Sequence, residues 1–156
     1  MQCKDRLESY LRENQVAFQV QHHAQVYTAQ EIAAAEHVPG KVLAKVVMVR
    51  ADDRLVMLAL PAPARVHESR LGAILGAREA RLASEDEFAS AFPDCEVGAM
   101  PPFGNLYGLP VVVDRSLAGE DTIVVQAGTH TDTLSLKYAD FARLVNPTVA
   151  EFAHHP

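Results

Sequence analysis

The run Val42-Leu43-Ala44-Lys45-Val46-Val47-Met48-Val49-Arg50 is followed by Ala51-Asp52-Asp53-Arg54 and then by Leu55-Val56-Met57-Leu58-Ala59-Leu60. Aliphatic and β-branched side chains fill both runs, and the short Asp-rich segment between them suits a tight reversal. This predicts an antiparallel hairpin. In a doubly wound nucleotide fold, neighbouring strands run parallel and are joined through helices. A hairpin here points instead to a mixed, mostly antiparallel sheet or partial barrel flanked by helices. The predicted class is α/β (mixed α+β), with residues 1–156 forming one domain.

Upstream of the hairpin, residues 2–14 read as a helix with Leu7, Tyr10 and Leu11 on one face. Residues 16–20 alternate like a strand. Thr28-Ala29-Gln30-Glu31 is a capping box, in which the Thr28 and Glu31 side chains satisfy free N–H groups at a helix start. That helix runs to about His37 and is stopped by Pro39-Gly40.

Downstream, residues 67–75 form a short helix ending at Gly76, and 78–82 a short strand. Ser84-Glu85-Asp86-Glu87 is a second capping box, opening a helix to about Phe92. A loop dense in Pro and Gly covers 93–108. Residues 109–113, 122–126 and 131–136 read as strands, and 138–145 as a last helix ended by Asn146-Pro147. No GxGxxG follows a strand, and no GxxxxGK[ST] occurs.

At 156 residues the chain has the size of one ordinary domain. Its hydrophobic share is 49% and its aromatic share 6%, with no Trp, which predicts an aliphatic core. Cys3 and Cys95 are its two cysteines. They form no CxxC and suggest no disulfide framework. The first twenty residues read as helix and strand rather than as a leader, and no apolar run reaches the length of a membrane span. A soluble, cytoplasmic protein without membrane contact is expected.

The formal net charge of -6 excludes a general affinity for long nucleic acids, but the charge is uneven. Residues 41–81 carry eight basic side chains (Lys41, Lys45, Arg50, Arg54, Arg65, Arg70, Arg78, Arg81) against four acidic ones, whereas residues 82–156 carry three against eleven. A basic region on an acidic body is either a solvated surface or a contact for a few phosphates.

Three segments can carry chemistry. Val97-Gly98-Ala99-Met100-Pro101-Pro102-Phe103-Gly104 is either an ordinary tight loop or a rigid cradle that turns backbone N–H groups toward a carbonyl or oxyanion. Lys45, inside an apolar strand, either snorkels to solvent or is a fixed cation for a phosphate or carbonyl. In Gln126-Ala127-Gly128-Thr129-His130-Thr131-Asp132, His130 is either solvated or a donor, acid or base in a pocket wall. The remaining histidines make no metal site. His22 and His23 are adjacent, so a strand would turn them to opposite faces, and there is no HExxH.

These segments, in this order, resemble the YbaK/prolyl-tRNA-synthetase-associated domain, from about Leu7 to Val145. Lys45 stands at that family's strand lysine. Gly98 through Pro102 matches its Gly-x-x-x-Pro loop, with Phe103-Gly104 following. Val113-Asp114 matches a strand end, and Ala127-Gly128 the segment before the last strand. The resemblance implies a trans-editing aminoacyl-tRNA deacylase that hydrolyses the ester of a mischarged tRNA. Lys45, Gly98 and His130 would carry the reaction. Ala99, Met100, Pro101, Pro102, Phe103, Gly128 and Thr129 would bind substrate.

The resemblance further implies a lysine that engages the terminal nucleotide near its phosphate, and a loop that positions the ester carbonyl through its backbone. Water would be activated with help from a ribose hydroxyl, and the sequence has neither a Ser-His-Asp order nor a GxSxG. His130 resembles the pocket histidine of the alanine-editing branches, which biases the substrate toward a small amino acid, with tRNAPro as carrier. A histidine of the 22–23 pair would also face the pocket. No cofactor and no metal are implied. The partners are the acceptor end of a mischarged tRNA and an aminoacyl-tRNA synthetase. The competing reading is a non-catalytic relative that binds tRNA or a metabolite.

Overall fold

The hairpin stands at the centre of the sheet. In the computed structural model, which describes residues 2–156, β2 (Leu43–Ala51) pairs antiparallel with β3 (Arg54–Pro61) from Ala44↔Pro61 to Ala51↔Arg54. Asp52 takes a positive φ of 55° in the turn, and its carboxylate accepts the amides of Arg78 and Glu79. This ties the turn to β5 (Ala80–Leu82), which adds to the far end of β2.

The chain opens with α1 (Cys3–Glu13), β1 (Phe18–His22) and α2 (Ala29–Ala35). After the hairpin come β4 (Arg65–Val66), α3 (Glu68–Leu75), β5 and α4 (Glu85–Phe88). They are followed by β6 (Val111–Asp114), α5 (Arg115–Ala118), β7 (Thr122–Gln126), β8 (Asp132–Lys137), α6 (Tyr138–Val145), β9 (Thr148–Ala150) and β10 (Ala153–His154). The main sheet has the order β1-β8-β7-β2-β3-β6-β9. The β2–β7, β3–β6 and β6–β9 pairs are parallel and the others antiparallel, so the expected mixed sheet flanked by helices is found. β4 and β10 form a separate ribbon. Among the described residues no helix is long and apolar enough to cross a membrane.

Alternation along β2 sorts its side chains between two layers. Ala44 and Met48 join Leu7 and Leu11 of α1, Phe141 of α6 and Phe103 in the largest core cluster. On the other face, Leu43 packs with Ile32 and Ala33 of α2, while Val49 and Ala51 pack with Leu71 of α3. Burying a Leu or Phe side chain contributes about 1.5–3 kcal/mol, so these contacts fix both helix positions. Lys45 lies on this second face, between the patch covered by α2 and the patch covered by α3. Both capping boxes form as predicted, at Thr28 and Ser84.

The expectation of no disulfide is corrected. Cys3 and Cys95 are bonded across a sequence separation of 92, with their Cα atoms 4.9 Å apart. The first turn of α1 docks on the loop before Gly98, where the Cys3 amide donates to the Asp94 carbonyl (2.9 Å). Closing so long a loop restrains the unfolded chain and contributes about 2–5 kcal/mol. Reduction, or Cys3→Ser, is therefore expected to lower the melting temperature by roughly 5–15 °C. Calorimetry with and without reductant checks this, and an unchanged melting temperature would contradict the bond's role.

Candidate active site

β7 runs out into Ala127-Gly128-Thr129-His130, and the segment 94–103 lies across that turn. The Glu96 amide donates to the Gly128 carbonyl (2.8 Å), and the Gly128 amide donates to the Ala99 carbonyl (2.9 Å). The His130 amide donates to Glu96 Oε1 (2.7 Å). No side chain fits at Gly128, where α1 docks: Gly128 has φ +95°, and a Cβ there would stand 2.5 Å from Cys3 Sγ. Thr129 donates its hydroxyl to Asp132 Oδ2 (2.6 Å) and so closes the turn. Burial pushes the Asp132 carboxyl up, but this bond and His22 outweigh it and hold the carboxyl below its ordinary range.

Gly98 and His130 face each other. A Cβ on Gly98 would lie 3.6 Å from His130 Cε1, and Gly98 has φ +86°. His130 Nε2 lies 2.9 Å from the Val97 carbonyl. A carbonyl only accepts, so Nε2 carries a proton and the neutral ring keeps its lone pair on Nδ1. Nδ1 is buried and has no partner among the described residues. The Tyr27 ring, itself largely exposed, packs at 4.9 Å from the imidazole. The result is an oriented, unused acceptor beside an exposed glycine backbone.

The rest of the loop holds Gly98 in place. Ala99, Met100, Pro101 and Pro102 are buried. The prolines remove an N–H each and restrict the chain. Phe103 is fully buried and packs edge-on against Phe141 (5.3 Å) and Tyr10 (6.4 Å), so it anchors the loop from the core. The Ala99 amide is taken by the Glu96 carbonyl at 3.0 Å. The Gly98 amide donates to Met100 Sδ at 3.2 Å. A thioether is a weak acceptor, so a developing oxyanion would displace it readily.

Lys45 stands opposite Leu60 on β2. β7 runs parallel beside β2, pairing Leu43 with Val124 and Ala44 with Val125, and this pairing ends one residue before Lys45. Lys45 lines a cavity of 380 Å³ with Gln30, Ala62, Pro63, Arg65, His154 and Pro156. Burial, then the neighbouring Arg65 charge, push its pKa down from the usual lysine value. The start of α2 bridges the two halves of the site, with Tyr27 against His130 and Gln30 at the cavity of Lys45. Of the histidine pair, His22 is exposed and paired with Asp132, while the buried His23 side chain turns toward Glu36.

Residues 23–144 match the aminoacyl-tRNA editing domain family. The chain belongs to that family. Two proline–tRNA ligases are similar to parts of this editing domain. The Lactobacillus gasseri ligase is 29% identical over 100 residues, 64% of this chain and 18% of the ligase. The Thiobacillus denitrificans ligase is 32% identical over 92 residues, 58% of this chain and 16% of the ligase. The chain thus spans less than a fifth of the length of either relative.

A crystal structure of a protein proposed as a trans-editing enzyme for prolyl-tRNA synthetase superposes with a TM-score of 0.83, covering 97% of both chains at 18% identity. A scaffold protein used for computational epitope grafting superposes at 0.84, covering 99% of this chain and 98% of its own, at 17% identity. At such identities the likeness is one of fold.

The structure brings Gly98, Ala99, Gly128, Thr129 and His130 together through direct contacts, with Met100, Pro101 and Pro102 as the loop's buried underside. It puts Lys45 in a separate cavity, which Gln30 of α2 also lines. Tyr27, Glu96 and Arg65 join the site without having been singled out in the sequence. Tyr27 stood one residue before a recognised capping box, and Arg65 within a recognised basic stretch. Their partners, however, are set by tertiary contacts that spacing does not encode.

Proposed function

We propose that this editing domain hydrolyses the ester between a small, wrong amino acid, alanine above all, and the terminal ribose of tRNAPro. Residues 1–156 act as one editing unit in trans to prolyl-tRNA synthetase, in the cytoplasm where charged tRNA is used. The observation that carries the reading is the pairing of Gly98 with His130, whose Nδ1 is buried and unpartnered. Similarity to proline–tRNA ligases supports the choice of tRNAPro.

In this reading the ester carbonyl enters beside Gly98. Water adds to the carbonyl carbon, and charge develops on the carbonyl oxygen. The Gly98 amide leaves Met100 Sδ for that oxygen, a donor that engages most strongly in the transition state. His130 Nδ1, covered in the free protein, becomes uncovered as the substrate enters and then accepts a hydrogen bond from the attacking water or the adjacent ribose hydroxyl. The C–O bond to the ribose then breaks, and the ribose oxygen takes up the proton that the water gave. Lys45 holds the terminal nucleotide by its phosphate.

A panel of Ala, Ser, Cys, Thr and Pro esters on tRNAPro, read as release of the free amino acid, tests the substrate. Alanine is expected to be released fastest and proline slowest. Equal rates for Thr or Pro would remove the small-substrate assignment.

A further inference from the structure

β4 and β10 meet as a two-stranded ribbon in which His154 lies directly opposite Arg65. Directly opposed residues of an antiparallel pair share a face. Both side chains line the 380 Å³ cavity that contains Lys45, and no acidic residue lines it. Among the described residues, Lys45, Arg65 and His154 form no ion pair. Two cations facing one cavity with no ion-pair partner among the described residues repel each other, and an anion between them removes that cost. Arg115, which flanks another cleft, is held by Glu151 instead.

We propose that Arg65 and His154, with Lys45, form a phosphate subsite for the single-stranded acceptor end, distinct from the ester-holding group at Gly98 and His130. This rests on the editing reading above. The guanidinium of Arg65 suits two phosphate oxygens at once, whereas Lys45 contributes a point charge. The cavity is large enough for a phosphate with part of its nucleoside. The chain entering α2 touches both places, with Tyr27 against His130 and Gln30 at the cavity, so a strand laid along it would set its terminal ribose at Gly98 and an internucleotide phosphate at Arg65. Arg65 is in this sense a positioning residue: it fixes the strand and does not touch the ester.

The test uses the full chain and two probes, the trinucleotide CpCpA and the nucleoside adenosine, followed by NMR of the Arg65 side-chain N–H and the His154 ring. CpCpA is expected to shift both signals, and adenosine neither. With mischarged tRNA, Arg65→Ala is expected to raise the half-saturating concentration roughly tenfold. The saturated single-turnover rate should fall less than threefold. The slope of log affinity against log salt should drop by about 0.7, the share of one phosphate on a single strand. Arg65→Lys should restore the slope, and Arg115→Ala should leave it alone.

CpCpA that shifts neither signal, or Arg65→Ala with unchanged half-saturation and slope, overturns the subsite. If the wild type hydrolyses no ester while CpCpA still shifts both signals, the editing reading fails and the phosphate subsite stands. If the wild type hydrolyses the ester and the slope is insensitive to Arg65, the reverse holds.

Discussion

Gly98→Val is expected to depress single-turnover deacylation by at least about tenfold, toward the roughly 100- to 1,000-fold typical of a lost oxyanion donor. The cause is conformational. Gly98 sits at φ +86°, which a β-branched residue resists strongly, while the space a Cβ would enter is an ordinary 3.6 Å from His130 Cε1. The backbone would therefore rotate rather than clash, and its amide would swing away from the place where charge develops. Met100→Leu keeps volume and removes only the weak thioether acceptor, so turnover should stay within a few-fold. Gly108→Val is the control for strain alone, since Gly108 has φ +70° with nothing within 4 Å of an added Cβ. It should lower the melting temperature and leave turnover intact. Normal turnover in Gly98→Val would remove the loop from the mechanism.

Lys45→Ala is expected to cost roughly ten- to a hundredfold in kcat/KM with the fold preserved. Losing a charge-assisted phosphate contact removes about 1.5–3 kcal/mol, at about 1.4 kcal/mol per decade of rate. The loss should appear chiefly in substrate capture. Because burial and Arg65 push the Lys45 pKa down, kcat/KM in the wild type should begin to fall with rising pH earlier than an ordinary lysine would allow. Lys45→Ala should flatten that limb. Activity within twofold of wild type, with normal melting, would place Lys45 outside the site.

Long periodic segments were legible in the sequence for physical reasons. The 42–60 hairpin had two apolar runs and a turn, and it became β2 and β3. Residues 122–126 and 138–145 appear with the same bounds as strand and helix. β4, β10, β9 and α5 were not anticipated. With two to four residues each, they are too short for a period, and their pairing is decided by where the chain returns. β1 begins two residues later than its alternation suggested, at Phe18, because the β8 register from Phe18↔Leu136 to His22↔Asp132 selects the span.

The disulfide illustrates the same limit at longer range, since two cysteines 92 residues apart are neighbours only once α1 docks beside Gly128. At the site, the loop and the turn were visible as segments. The free Nδ1 of His130, the thioether partner of Gly98 and the unneutralised Lys45–Arg65 pair are properties of geometry.

An editing domain that breaks the aminoacyl ester differs from one that merely holds the tRNA in the fate of the amino acid. The most direct measurement is a single-turnover time course of Ala-tRNAPro with protein in excess, counting free alanine against the spontaneous rate, with Pro-tRNAPro alongside. Alanine release far above the spontaneous rate is expected, with proline release near it and a large loss in Gly98→Val. Ala-tRNAPro that is bound by the protein yet loses its alanine only at the spontaneous rate would contradict the account.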